Sequence, residues 1–169
     1  MMNTIEHHTS LQLDYLENAL APWQTSIMQG NSAFEQGKLL PARDSYFIAK
    51  NLAAHLLQQF LHSPLNDDVT RAIEHCIPAL VVASHNLADT YIALQQVEKA
   101  CHCLCEIHNT VLSLMQNEHF YVRQISQYHN VKTSSELMLF AKRYAVLPEI
   151  IDKINNCLGA QSTPSGLLH

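Results

Sequence analysis

Apolar residues recur at helical spacing along most of the chain, and no stretch of four to eight residues alternates apolar and polar side chains as a strand does. Hydrophobic residues make up 47% of the 169 residues. A chain of this length buries about 70% of its unfolded surface and needs neither a metal nor a disulfide to form a core. The sequence therefore predicts one all-α domain over residues 1–158, followed by a flexible tail over residues 159–169.

Local signals divide this domain into helices. Ser10 is the predicted cap of a short helix that ends at Ala21, and Pro22 starts the next one. Further helices are predicted over residues 23–36, which stop before Gly37, and over 41–61, 69–94, 97–115 and 148–158. Asp67 or Asp68 is expected to cap the helix over 69–94. Beyond Gln116 the pattern weakens, and a capping box of Thr133 and Glu136 predicts that a helix begins there.

Two of the helix pairs share an internal pattern of small and large residues. The first pair carries Gly30, Ala33, Gly37, Ala42, Tyr46 and Ala49, and the second carries Leu87, Ala88, Tyr91, Ala100, Leu104 and Ile107. Aligning Ala42 with Ala100 places Gly30 on Ala88 and Tyr46 on Leu104. We expect the small residues to lie where the facing helix approaches too closely for a larger side chain.

This pattern resembles the tetratricopeptide repeat, a helix–turn–helix unit. The resemblance covers roughly residues 23–54 and 81–115. It implies antiparallel helical hairpins in two long units, with extra helices at both ends. The two units are 58 residues apart, whereas tetratricopeptide repeats follow one another every 34 residues, so both helices at the junction must exceed the standard length.

The resemblance also implies a function, because tetratricopeptide proteins bind a peptide or a partner helix in a groove formed by the first helix of each unit. The positions that would face such a groove are Gln24, Ile27, Asn31, Phe34, Glu35, Val82, His85, Asp89 and Ile92. Glu35 and Asp89 would repel an acidic peptide, so an apolar or mildly basic segment is the expected partner. These positions could instead be a solvated face, or be covered by the helix over residues 10–21 or by the C-terminal helices. A further alternative is a structural homo-oligomer with no external ligand.

Composition and motifs narrow the function classes. The formal net charge of −5 lacks the basic excess that nucleic-acid binding requires. No apolar run is long enough to span a membrane, and the first residues lack the pattern of a secretory leader. Common phosphate-binding, zinc-protease and nucleophile motifs are absent from the sequence. We therefore expect a cytoplasmic protein that is not an enzyme, has no cofactor and binds neither nucleic acid nor membrane.

A run of cysteines and histidines supplies the alternative, a metal- or redox-responsive protein. Cys101, Cys105 and His108 are spaced to lie on one helix face, and His75 or Cys76 could supply a fourth zinc ligand. Zinc ligands usually come in closely spaced pairs on a turn, so buried unreactive thiols are the favoured interpretation.

Histidine is abundant, with 11 copies against 10 Lys and Arg together. Since the ordinary histidine pKa is about 6.5, a partner contact through His85 is expected to depend on pH.

Overall fold

Six α-helices follow one another in the computed structural model, which describes residues 3–159 and the side chains of residues 15–159. The helices are α1 (Asn3–Glu35), α2 (Leu39–Leu61), α3 (Asp67–Ala93), α4 (Val97–Leu114), α5 (Phe120–Arg143) and α6 (Pro148–Gly159). Each packs against the next, and the described residues contain no strand. The all-α prediction is confirmed.

The six helices form three consecutive hairpins. Beyond their sequence neighbours, α3 contacts both α1 and α5, and α4 contacts α6. The odd-numbered helices therefore form one layer of the molecule, and α4 and α6 lie together in the other. The predicted tail lies outside the described residues, except that Gly159 is still the last residue of α6.

The turns that follow α1 and α3 have the same backbone hydrogen bonds. After α1, the amide of Lys38 donates to the Ala33 carbonyl over 2.9 Å, and in the second turn Gln96 donates to Tyr91 over 2.8 Å. Gly37 and Gln95 occupy the left-handed region at φ 70° and 59°. These equivalences reproduce the alignment of Ala42 with Ala100, so the first two hairpins are a structural repeat as well as a sequence repeat.

The predicted break at Pro22 is wrong. α1 runs through Pro22 without interruption, so Ser10 lies inside the helix and is not its cap. Proline removes one helical hydrogen bond, but Leu16 and Leu20 on the preceding turns are buried in a core shared with α2 and α3. Burial of that face keeps the two halves of the helix in line.

Two further boundary predictions are also wrong. Asn66, not Asp67 or Asp68, caps α3, because its side-chain oxygen accepts the backbone amide of Val69 over 2.8 Å. Thr133 does not begin a helix but lies in the middle of α5, where it is buried. The starts predicted at Pro41 and Pro148 agree with the first turns of α2 and α6.

Candidate interaction face on α1, α3 and α5

Polar side chains from the three helices of one layer interact with one another. We call this surface the α1–α3–α5 face and define it by Asn31, Glu35, His85, Asn86, Asp89, Lys132, Glu136 and Arg143. The contacts between α1 and α3 and between α3 and α5 bring these residues together. Among the described helices α6 contacts only α4 and α5, so it does not cover α1 or α3.

At the junction of α1 and α3, Tyr46 reaches the face from α2. Its hydroxyl donates a 2.7 Å hydrogen bond to the side-chain oxygen of Asn31, which also accepts a long, 3.5 Å bond from Asn86. Burial raises the pKa of Tyr46, and the nearby carboxylates of Asp89 and Glu35 raise it further. The potential around the Tyr46 hydroxyl is therefore negative.

Between α3 and α5 a second pair of carboxylates adds to this potential. The pKa of Asp89 is raised, first by partial burial and then by the charge of Glu136, while Arg143 acts in the opposite direction. Glu35, Asp89 and Glu136 thus come from three different helices, and no salt bridge within the described residues neutralises any of them. A cation placed among them would relieve this repulsion.

His85 lies beside this acidic region but does not act as a pH sensor. Burial lowers its pKa to about 4, and Lys132 contributes in the same direction. Its buried Nε2 atom has no hydrogen-bond partner among the described residues. The expectation of a pH-sensitive contact through His85 near neutrality is therefore wrong, because the imidazole is already neutral throughout that range.

The predicted groove residues divide into three groups by exposure. Exposed residues that a partner could reach are Gln24, Asn31, Glu35 and Asp89. Half-buried residues packed on the core or beside it are Phe34, Val82, His85 and Ile92. Ile27 is buried, only 9% exposed, and belongs to the core around Tyr46 and Ala42. Ile27 is therefore not available to a partner in this structure.

The contribution of α5 to this face does not follow from the repeat pattern of the sequence. Ser126 and Thr133 are buried, each one helical turn from an apolar core residue, Val122 and Leu137 respectively, and these polar residues interrupt the apolar period. If Ser and Thr are allowed at core positions, the helical period of buried residues extends from Val122 to Phe140. The helix supplies Lys132, Glu136 and Arg143, so the face includes basic residues that two units alone would lack.

The predicted metal cluster does not assemble. His108 turns towards α5, where its Nδ1 lies 2.9 Å from the Thr133 hydroxyl, whereas Cys101 and Cys105 meet Cys157 of α6. His75 is exposed, and Cys76 is buried in a different core cluster. Within residues 15–159 no group of His, Cys, Asp and Glu side chains is arranged to hold a metal ion.

A cleft between α2 and α4 is a second surface that the sequence did not reveal. The ion pair of Lys50 and Glu106 crosses it and separates two parts of about 680 and 610 Å³. Leu80 and Ser84 of α3 line the larger part, and Cys105 lies at its wall. The cleft is open to solvent and gives small molecules a path to that thiol.

Comparison with known proteins assigns the chain to a family. The family model for DUF2753, described as a protein of unknown function, matches residues 21–165. The chain belongs to the DUF2753 family. The match begins just before Pro22 and includes all of α2 to α6. The α1–α3–α5 face and the thiols of Cys101, Cys105 and Cys157 therefore lie inside the DUF2753 region. No curated protein and no solved structure matches the chain. No helix in the described part of this DUF2753 protein is long and apolar enough to cross a membrane.

Proposed function

We propose that this DUF2753 protein is a protein-interaction module that binds a basic peptide segment or partner helix on its α1–α3–α5 face. The observation that carries the proposal is the set of three carboxylates, Glu35, Asp89 and Glu136, which come from three helices. The pKa of Asp89 is raised first by burial and then by the charge of Glu136, and a lysine or arginine of a partner would be attracted to this pair of carboxylates.

The repeat geometry supports this function. The first two hairpins share the hydrogen bonds of their turns and two small-residue positions, Gly30 with Ala88 and Ala42 with Ala100, as expected for the tetratricopeptide-like arrangement that the sequence resembles. The resemblance to interaction scaffolds supports the proposal by analogy, and the charges on the face indicate that the partner is basic. Asn31 and Tyr46 give the surface a fixed polar centre, and Phe34 and Ile92 add half-buried apolar contacts beside it. The proposed role requires no cofactor and no reaction.

Binding of designed peptides tests the proposal. Fluorescently labelled helical peptides with identical apolar residues, and with Lys, Gln or Glu at the polar positions, are titrated with the full-length protein under reducing conditions. We expect the Lys peptide to bind best and to lose affinity as salt is added. Glu35→Gln together with Asp89→Asn should weaken its binding about tenfold, equivalent to about 1.4 kcal/mol.

A matched control removes two carboxylates elsewhere. Glu74→Gln and Asp152→Asn change exposed residues in the N-terminal half of α3 and in α6. Together they change the net charge by the same amount as the first double variant. This variant should bind the Lys peptide as the wild type does. Equal losses in the two variants would show that net charge alone attracts the peptide, and preferential binding of the Glu peptide would refute the proposal.

A second candidate function, self-association, is favoured by a stripe of exposed apolar residues along α5. The stripe consists of Tyr121, Tyr128, Val131, Met138 and Leu139, and Tyr128 is 78% exposed. These residues recur at helical spacing on a face that no described helix covers. Light scattering of the wild type and of Val131→Asp tests this candidate: a dimer that the substitution dissociates supports it, and a monomeric wild type refutes it.

A further inference from the structure

Three cysteine thiols meet where α6 packs against α4. Cys101 and Cys105 lie one turn apart on α4, and Cys157 lies on α6. Side-chain hydrogen bonds join the Cys105 thiol to both of the others. The Cys157 thiol also lies 3.7 Å from the backbone carbonyl oxygen of Cys105 and 3.4 Å from the side-chain oxygen of Asn109. All three are free thiols.

The three thiols differ in their access to solvent. Cys105 is partly exposed and lines the larger part of the cleft between α2 and α4, whereas Cys101 is fully buried and Cys157 is only 7% exposed. A small reagent that enters the cleft therefore reaches Cys105 first. The neighbouring Cys103 is buried as well, and its thiol donates to the Ser84 carbonyl on the other side of α4.

The charges around the cluster favour a thiolate. The hydrogen bond from Cys105 lowers the pKa of Cys101 to about 7 against the opposing effect of burial, and Lys153 of α6 lowers it further. The same hydrogen bond raises the pKa of Cys105, so the two sulfurs share one proton. When Cys105 passes its proton to the Cys101 thiolate, the negative charge moves to Cys105, the residue of the pair that lines the cleft.

We propose that Cys105 and Cys157 are an oxidisable pair, which peroxide converts into a disulfide that links α4 to α6. Cys101 and Cys105 cannot form this bond without distortion, because residues one helical turn apart have Cβ atoms about 5–6 Å apart, and a disulfide needs about 3.5–4.5 Å. Cys157 approaches from a separate helix and is not subject to that restriction.

The reaction proceeds in two balanced steps. The Cys105 thiolate attacks one oxygen of hydrogen peroxide, a sulfur–oxygen bond forms, the oxygen–oxygen bond breaks, and the hydroxide released takes up a proton to become water. The Cys157 sulfur then attacks Cys105, and the sulfur–sulfur bond forms as the sulfur–oxygen bond of the sulfenic acid breaks. The hydroxide that leaves takes the proton of Cys157 and becomes the second water. Two thiols are oxidised and one peroxide is reduced to two waters.

The disulfide would fix the last helix of the fold. Within the described residues α6 contacts only α4 and α5, so a covalent link to α4 restrains the whole third hairpin. The site is independent of the proposed peptide binding, which is measured in the presence of a reductant.

Peptide mapping of the full-length protein tests the proposal. The protein is treated with hydrogen peroxide at pH 7, remaining thiols are alkylated, and the digest is analysed by mass spectrometry. We expect a linked peptide pair containing Cys105 and Cys157, lighter by two hydrogens than the separate peptides and lost after reduction. Cys101→Ser should slow its formation about tenfold, because Cys105 then lacks the neighbouring thiolate that accepts its proton.

The control is Cys103→Ser, which changes a buried thiol on the same helix and should leave the rate unchanged. Thermal unfolding of the reduced variants, followed by circular dichroism, establishes that each is folded before the rates are compared. A disulfide between any other two cysteines, or a Cys105–Cys157 bond that forms equally fast without Cys101, would overturn the corresponding part of the proposal. Absence of any disulfide in folded, peroxide-treated wild type would overturn it entirely.

Discussion

Tyr46 of α2 donates a 2.7 Å hydrogen bond to Asn31 of α1 while its ring lies directly over Gly30, the residue before its partner. A Cβ atom at position 30 would lie 2.5 Å from a carbon of that ring. The absence of a side chain at Gly30 therefore determines both the packing of the first hairpin and the position of a polar group on the α1–α3–α5 face.

Gly30→Ala should destabilise the protein, although alanine in the interior of a helix is about 1 kcal/mol more favourable than glycine. The added methyl group forces the buried Tyr46 ring to move, and overpacking of this kind costs about 1–3 kcal/mol. Urea unfolding measures the change, with Gln29→Ala on the exposed side of α1 as control. An unfolding midpoint at or above that of the wild type would mean that the ring adjusts freely.

Asn66→Ala should lower the free energy of unfolding by about 1 kcal/mol, because it removes the oxygen that accepts the Val69 amide at the start of α3. Asn66→Asp keeps an acceptor there and should retain most of the stability. Chemical denaturation measures the free energy of unfolding of the two variants. Equal losses would show that the side-chain bond contributes nothing in solution.

The sequence predicted the helices well where one residue type decides the boundary. Gly37 ends α1 in the left-handed conformation, as predicted, but Gln95 adopts almost the same φ after α3 without the freedom that glycine has. The backbone hydrogen bonds of that turn, from Gln95 to Ile92 and from Gln96 to Tyr91, accompany this conformation. Pro22 shows the opposite case, in which a strong local signal for a break is overridden by the burial of Leu16 and Leu20.

The candidate site was less predictable because it depends on which helices become neighbours. Asn31, Glu35 and Asp89 followed from the repeat, whereas Lys132 and Glu136 come from a helix whose buried face includes Ser126 and Thr133. Likewise, helical spacing placed Cys101 and Cys105 on one face, but their third partner proved to be Cys157 of α6. No spacing rule connects residues 52 positions apart in different helices.

Thr133→Val should destabilise the protein by about 1–2 kcal/mol, because it removes the hydroxyl that lies 2.9 Å from the buried Nδ1 of His108 while preserving the shape of the side chain. Thr133→Ser retains the hydroxyl and should lose less. Urea denaturation at pH 7 compares the two. A serine variant that is no more stable than the valine variant would assign the effect to packing of the methyl group rather than to the hydrogen bond.

Mild acid should destabilise the fold through its buried histidines. Burial lowers the pKa values of His85, His108 and His129, and for His85 the value falls to about 4. As the pH drops from about 6.5 towards 4, the unfolded chain takes up a proton that folded His85 does not, so the free energy of unfolding falls by up to about 1.4 kcal/mol per pH unit for this group. His108 and His129 act in the same direction. Asp89 opposes this trend at the acidic end, because its raised pKa lets the folded state bind a proton first.

Replacing His85 by Gln should therefore reduce the loss of stability between pH 7 and pH 5, while His55→Gln, at an exposed position of α2, should leave it unchanged. Urea unfolding curves measured at half-unit steps of pH give the slope for each variant. If the His85 variant keeps the full wild-type slope, its imidazole is not held neutral in the folded protein. The Lys132 charge beside it supplies an internal check, since Lys132→Gln should raise the pKa of His85 and reduce the same slope.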